Sequence, residues 1–264
     1  MKKLIFILIF FINISHLNAI IVGNPSDPKM LTNGIFFNTK IVSFKAGYLY
    51  YNVYSSDFED KFKSLMSTPS DVRQKIFASV LTLNFYKFFD ISAILGTTNL
   101  EVDSIIDAKR EFAYGFGIKT FLVKSNNFDI SIDGKYFTSI LKPSYFLVAD
   151  ETRGNGIYSI VDNFEQSLEE YQLSIAASYN TNFLIPYIGS TFLYYDIMPS
   201  PKIGKLALPA GGEFLFETND SLIKNFWGAV LGISFTNLKK EAFLTLEGRF
   251  FDQNAFGFFG TIRF

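Results

Sequence analysis

Apolar and polar residues alternate along most of the chain beyond its first forty residues. In Phe128 to Tyr136, the even positions Phe128, Ile130, Ile132, Gly134 and Tyr136 oppose Asp129, Ser131, Asp133 and Lys135. Tyr171, Leu173, Ile175, Ala177 and Tyr179 oppose Gln172, Ser174, Ala176 and Ser178 in the same way. Phe112, Tyr114, Phe116 and Ile118 oppose Ala113, Gly115, Gly117 and Lys119, and Leu244, Leu246 and Phe250 oppose Thr245, Glu247 and Arg249. Successive side chains of an extended strand point to opposite faces, so each run predicts a strand with one greasy and one wet side. A soluble sandwich shares this alternation. Aromatic rings at both ends of an apolar face, as Tyr171 and Tyr179 stand around Leu173, Ile175 and Ala177, instead fit the two interface girdles of a membrane barrel strand. The chain finishes on such a strand. Phe256, Phe258, Ile262 and Phe264 fall on one face, opposite Gly257, Thr261 and Arg263, the form of a C-terminal barrel strand recognised by the barrel assembly machinery.

Strands centred near Tyr48, Leu81, Ala93, Phe116, Ile132, Ile175, Ile188, Leu231, Leu246 and Phe258 predict an all-β, antiparallel transmembrane barrel of about ten strands. A further hairpin, Ser144 to Asp150 and Gly156 to Asp162, either enters the wall and raises the count to twelve or caps it outside. Short links fall near Lys87 to Asp90, Lys124 to Asn127, Asn180 to Asn182 and Asn237 to Lys240. Longer ones run from Ser55 to Asp71, Leu100 to Lys109, Leu141 to Phe164 and Asp196 to Asp220. Short turns belong on the periplasmic side, which puts both termini there. Asp57 to Ser67 carries Phe58, Phe62, Leu65 and Met66 at helical spacing, which predicts either a short loop helix or an irregular loop.

The first residues have the form of an export leader: Lys2 and Lys3, an apolar run from Leu4 to Ile14, then Ser15 to Ala19, with cleavage expected after Ala19. That run is shorter than the roughly 20 residues a membrane helix needs. The expected organisation is a leader over 1–19, a periplasmic segment over 20–40 and the barrel over 41–264. The chain holds 32 Phe, 14 Tyr and no Cys, and its one His, His16, lies in the leader. Without imidazole or thiol, the mature chain lacks the common nucleophilic dyads and zinc sites, and no phosphate-binding loop is present. No enzymatic activity, cofactor or metal is expected. With 24 Lys and Arg against 25 Asp and Glu, no basic field draws it to nucleic acid. The expected surroundings are outer-membrane lipid.

Several segments resemble the chlamydial major outer membrane protein family. Val22-Gly23-Asn24-Pro25-Ser26-Asp27-Pro28 and Leu31-Thr32-Asn33-Gly34-Ile35 are similar to the start of those mature porins. Val42 to Tyr48, Phe88 to Thr98, and Leu173 to Tyr179 followed by Phe183-Leu184-Ile185-Pro186-Tyr187-Ile188-Gly189 resemble family strands, and Ala242 to Phe251 with Gly260 to Phe264 fit its ending. The resemblance implies an outer-membrane porin, trimeric in the family's usual form. The family's envelope-crosslinking cysteines have no counterpart here, and the chain is too short for about sixteen strands with long loops.

Ten inward positions follow from the alternation: Lys45, Asp90, Lys119, Asp129, Asp133, Lys135, Lys224, Glu247, Arg249 and Arg263. Together they predict a lumen with little or mild anion preference. Two functions remain open. One is passive diffusion of ions and small hydrophilic solutes. The other is a closed barrel acting as adhesin or scaffold through its outer loops, because ten or twelve strands lie between the filled eight-stranded barrels and the open sixteen-stranded ones.

Overall fold

The computed structural model describes residues 20–27, 41–55, 57–58, 70–102, 106–148, 156–160, 165–200, 203–207, 213–217, 222–251 and 253–264. Ten antiparallel strands form a closed wall: β1 (Val42–Ser55), β2 (Ser70–Phe85), β3 (Phe89–Val102), β4 (Ile106–Lys124), β5 (Phe128–Leu141), β6 (Glu165–Tyr179), β7 (Leu184–Ser200), β8 (Leu222–Thr236), β9 (Ala242–Phe250) and β10 (Asn254–Arg263). Each pairs with the next. Closure comes from β10 on β1, in register from Lys45 opposite Arg263 to Val53 opposite Ala255. A closed ring leaves no row of unpaired backbone groups, which is the condition for strands to stand in hydrocarbon.

One mouth carries tight connections. Between β2 and β3, Tyr86 and Lys87 adopt φ of 53° and 58°, and the Lys87 N–H donates to Asn84 Oδ1 at 3.1 Å. Ser125 closes the β4–β5 turn through its N–H to Phe128 O. The Thr181 hydroxyl accepts the Leu184 N–H at 3.1 Å between β6 and β7. Asn237 Oδ1 accepts the Glu241 N–H at 2.7 Å between β8 and β9. The Asn84, Thr181 and Asn237 bonds are side-chain turn devices, which need no glycine.

The other mouth differs from the sequence expectation in two places. Leu100 to Lys109 is not a long loop: β3 and β4 continue to pair there, with Leu100 opposite Ala108 and Val102 opposite Ile106 across an irregular register step. Leu100 and Ala108 are fully buried in an interior apolar cluster, and that burial favours extending the strands over solvating the link. The predicted extra hairpin exists as strands Pro143–Val148 and Gly156–Ile160, but it stays outside the wall. It leans on the start of β4 (Ile106 opposite Phe146), because β5 is already paired with β6 along its length, from Phe128 opposite Tyr179 to Leu141 opposite Gln166. A second hairpin, Ile203–Ala207 with Glu213–Glu217, extends this sheet through Leu206 opposite Ile160. Sequence alternation did not reveal it. Asp57–Phe58 pair as a short strand with Ser70 and Asp71, and the rest of the expected loop helix lies outside the described residues.

The outer face is apolar and exposed, Ile175 at 48% and Leu231 at 49% among many. Cross-strand rings form a belt on it. Phe116, Tyr136, Tyr171 and Tyr194 sit on four successive strands, β4 to β7, with neighbouring ring centres 4.9 to 5.8 Å apart. Trp227 continues it against Phe192, and Tyr50 does so between Phe77 and Phe258. A second aromatic group lies at the tight-turn mouth, with Phe44 against Phe264 and Phe85 against Phe89. Two ring belts around an aliphatic band are what a bilayer selects. Ile175 stands between the belts, opposite Ile132 on β5. Ile175→Arg is expected to destabilise the barrel by about 2–4 kcal/mol, as a cation near the bilayer midplane does. Ile175→Leu is expected to be neutral, both read by denaturant titration in lipid vesicles.

Candidate functional site

The interior is where charged residues of this chain converge. Lys45, Asp90, Lys119, Asp129, Asp133, Glu247, Arg249 and Arg263 are all buried on the inward face, from 8% exposed for Lys119 down to zero for Asp129 and Arg249. Lys135 joins them, at 2.6 Å from Asp133 Oδ1. Lys224 stands opposite Tyr195 in the β7–β8 register, an inward position whose side chain lies outside the described set. Phe256 and Ile262 face outward at 40% and 46% exposure. The C-terminal Phe264 N–H donates to Phe44 O at 2.9 Å, fastening the end of the chain to β1.

Residues 20–27 run through this interior. Of the segment expected to be periplasmic over 20–40, Ile20 to Asp27 thread the barrel interior, every one of them buried, and 28–40 lie outside the described residues. The local sequence explains the shape. Gly23 takes φ +72°, in the left-handed region that favours glycine. Asn24-Pro25-Ser26-Asp27 then turns, with Asn24 Oδ1 accepting the Ser26 N–H at 3.0 Å and Asn24 O accepting the Asp27 N–H at 3.1 Å. The apolar side chains Ile20 and Ile21 join a core cluster with Leu49, Tyr51, Val53 and Phe137. Val22 packs with Ala176, Tyr187 and Val230.

Wall charges bind this segment mainly by its backbone. Glu247 accepts the N–H groups of Val22 and Gly23, one on each oxygen, both at 2.9 Å. Lys119 Nζ donates to Val22 O at 2.8 Å, and Lys135 Nζ to Ile21 O at 2.6 Å. Arg249 holds Ile20 O at 3.1 Å, together with Gln172 Oε1 and Thr191 Oγ1. Arg263 donates to Asp27 O at 3.0 Å and lies 3.6 Å from its carboxylate. Ser26 Oγ meets Ser178 Oγ and Asn180 Oδ1, both at 2.5 Å. A segment of irregular chain in a closed wall has its own donors and acceptors to satisfy, and charged side chains do so with stronger bonds than neutral ones.

The wall's small residues make room for this. Tyr187 on β7 faces Gly232 on β8, which in turn faces Glu247 on β9. The Tyr187 ring lies over Gly232 where any Cβ would stand, and its hydroxyl reaches Glu247 Oε2 at 2.7 Å. At Gly257 a Cβ would strike Ile21 and the Tyr51 ring. These glycines thus serve close packing, not an open passage. A residual cavity of about 60 Å³ remains between the segment and β1–β4, bordered by Lys45, Thr82, Asp90, Ser92 and Lys119. At roughly 10–15 Å³ each it admits a few waters.

Nearer the tight turns, Lys45 Nζ binds Asp90 Oδ2 at 2.6 Å, and Asn84 Nδ2 donates to the other oxygen of Asp90. Asp133 sits between two ammonium groups, Lys135 at 2.6 Å and Lys119 at 3.8 Å. Asp129 accepts from Asn180 Nδ2 at 2.6 Å. Two acidic residues of the interior escaped the sequence reading. Glu170, 1% exposed, accepts the Ile20 N–H at 2.9 Å; it stands one residue before the Tyr171 run, whose alternation extended backward points it inward. Asp27 carries no strand signal at all.

No protein-family model matches the chain, and no curated protein matches it. Among solved structures, it is similar to the translocator domain of the autotransporter NalP from Neisseria meningitidis, at 8% identity and TM-score 0.51 over 87% of this chain and 89% of that one. It is also similar to the β-domain of the Bordetella autotransporter BrkA, at 12% identity, TM-score 0.45, 84% of this chain and 98% of that one. The first likeness is one of fold: a closed antiparallel barrel.

Lys45 and Arg263 are register partners on β1 and β10, so Asp90 and Asp27 keep two buried cations apart. Asp90→Ala is expected to cost about 3–5 kcal/mol by stranding Lys45. Adding Lys45→Met to Asp90→Leu removes both charges and should recover most of that loss, measured by the same denaturant titrations.

Proposed function

We propose that the protein is an outer-membrane barrel of porin type, with both termini on the periplasmic side, whose passive conduction of ions and small hydrophilic solutes is controlled by residues 20–27. The observation that carries this reading is the mode of closure. Lys119, Lys135, Glu247 and Arg249 are hydrogen-bonded to the backbone of a segment that belongs to no strand. With the segment in place, the described residues leave a cavity of about 60 Å³ beside Lys45 and Asp90. With the segment withdrawn, the same charges line a polar interior that water can fill. Basic and acidic inward positions then nearly balance once Glu170 is counted, so selectivity between cations and anions is weak. The segments similar to the chlamydial porins support this reading and a trimeric assembly. No covalent chemistry is needed.

A second reading is favoured by the filled interior itself: a permanently closed barrel that displays its outer hairpins as adhesin or scaffold. Planar-bilayer recording separates the two. The intact mature protein should be mostly silent, and deletion of 20–27 should produce discrete current steps. Because the chain has no cysteine, Ser26→Cys with Ser178→Cys gives a single disulfide that pins the segment. The oxidised form should show no openings and the reduced form should regain them. Silence from the deletion variant, folded by its heat-modifiable migration, would decide for the scaffold.

A further inference from the structure

The wall grips Ile20 at three points. Its nitrogen donates to Glu170 Oε1 at 2.9 Å, its carbonyl accepts from Arg249 Nη1 at 3.1 Å, and its side chain lies in the apolar cluster with Leu49, Tyr51 and Phe137. Ile20 is 2% exposed, Glu170 1% and Arg249 not at all. A carboxylate at the nitrogen, a guanidinium at the carbonyl and a greasy pocket for the side chain are parts that a receptor for a terminal residue can use.

We propose that Glu170 and Arg249 form a binding site for a free α-ammonium at Ile20, created by cleavage after Ala19, and that loss of the leader tightens the seat of the segment in the barrel. Hydrolysis of the Ala19–Ile20 amide by a leader peptidase and water breaks the C–N bond. The water's hydroxyl goes to the Ala19 carbonyl carbon and its proton to the Ile20 nitrogen, which at neutral pH takes up one more. An amide nitrogen offers Glu170 one neutral hydrogen. The ammonium offers three donors and a positive charge at the same position. The amide's bond to the carboxylate is already charge-assisted by the acceptor, and the ammonium adds a full opposite charge to it. It also offsets the cost of holding a carboxylate out of water, which is several kcal/mol per isolated ion.

Beyond Glu170 the interior holds an apolar cluster beside the buried polar side chains of Gln74, Thr98 and Gln166. Tyr195 is its register partner across β6 and β7, and Tyr195 belongs to one buried cluster with Leu100, Leu141, Leu168, Leu193 and Ile197. The proposal deepens the reading that 20–27 close the barrel, yet it is tested without any current.

Five proteins are refolded into vesicles and checked by heat-modifiable migration: the chain starting at Ile20, the same with Glu170→Gln, one with Gly-Ser before Ile20, and the first and third again with Ser26→Cys. A water-soluble amine-acylating reagent is applied near neutral pH, and the N-terminal peptide is quantified by mass spectrometry. An opposite charge at hydrogen-bond distance moves a pKa by about one to three units, so the folded Ile20 amine should react at least about tenfold slower than in the unfolded chain. Glu170→Gln should lose most of that protection. In a Ser26→Cys background, a polar maleimide should label the Gly-Ser protein faster than the chain starting at Ile20. Equal acylation of folded and unfolded chains, or full protection in Glu170→Gln, would overturn the ammonium site. Equal maleimide rates would overturn the tightening on leader removal, and that arm stands if Glu170→Gln does not fold. The mass of the exported protein fixes its first residue, and a start other than Ile20 also overturns the assignment.

Discussion

Ten strands enclose a volume that the wall's own side chains do not fill, and a membrane wall has no water-facing core to fall back on. Eight-stranded barrels close on their side chains, and sixteen-stranded ones hold a channel. This chain meets the intermediate size by placing part of itself inside. Once Ile20 to Asp27 occupy the interior, the rest of the inward face is determined. Backbone N–H groups at Val22 and Gly23 call for an acceptor, which Glu247 supplies, and the carbonyls of Ile20, Ile21 and Val22 call for donors, which Arg249, Lys135 and Lys119 supply. The glycines at 232 and 257 yield their volume to Tyr187 and Ile21 for the same reason.

Charge and packing are therefore coupled through one element. Tyr187 buttresses Glu247 from two strands away, and the reach across β8 exists only because position 232 has no side chain. Arg263 both holds the carbonyl of Asp27 and lies over the Phe243 ring at 4.6 Å, tying the segment to the last two strands. Those strands also complete the wall through β1. The last interactions along the chain thus close both the ring and its interior.

Much of the wall was legible because its physics is local. The alternation in Phe128 to Tyr136 is enough to put Asp129, Asp133 and Lys135 on one face, and Asn and Ser clusters mark the tight turns. What alternation could not carry is what depends on distant partners. The run Leu100 to Lys109 mixes polar with apolar residues and reads as a link, yet burial of Leu100 and Ala108 against the far side of the interior extends the strands through it. The hairpin at 203–217 has no sustained alternation, and its pairing is with another outer hairpin rather than with the wall. The segment at 20–27 is the clearest case. Gly23-Asn24-Pro25 announces a turn, but the groups that receive it, Glu170, Glu247 and Arg249, lie 150 or more residues away. Nothing within the segment states that a barrel surrounds it.

The contacts that hold Ile20 to Val22 address peptide groups, which every residue except proline carries in full. The interior consequently distinguishes length, direction and greasiness far more than it distinguishes which residues are present. Descendants of this sequence can exchange one aliphatic residue for another along 20–22 with little penalty. Lys119, Lys135 and Glu247 have no such freedom, because each answers to a main-chain atom that substitution cannot remove. Drift in this molecule should therefore concentrate on the occupant and spare its housing, the reverse of what is usual where a rigid pocket receives a fixed ligand.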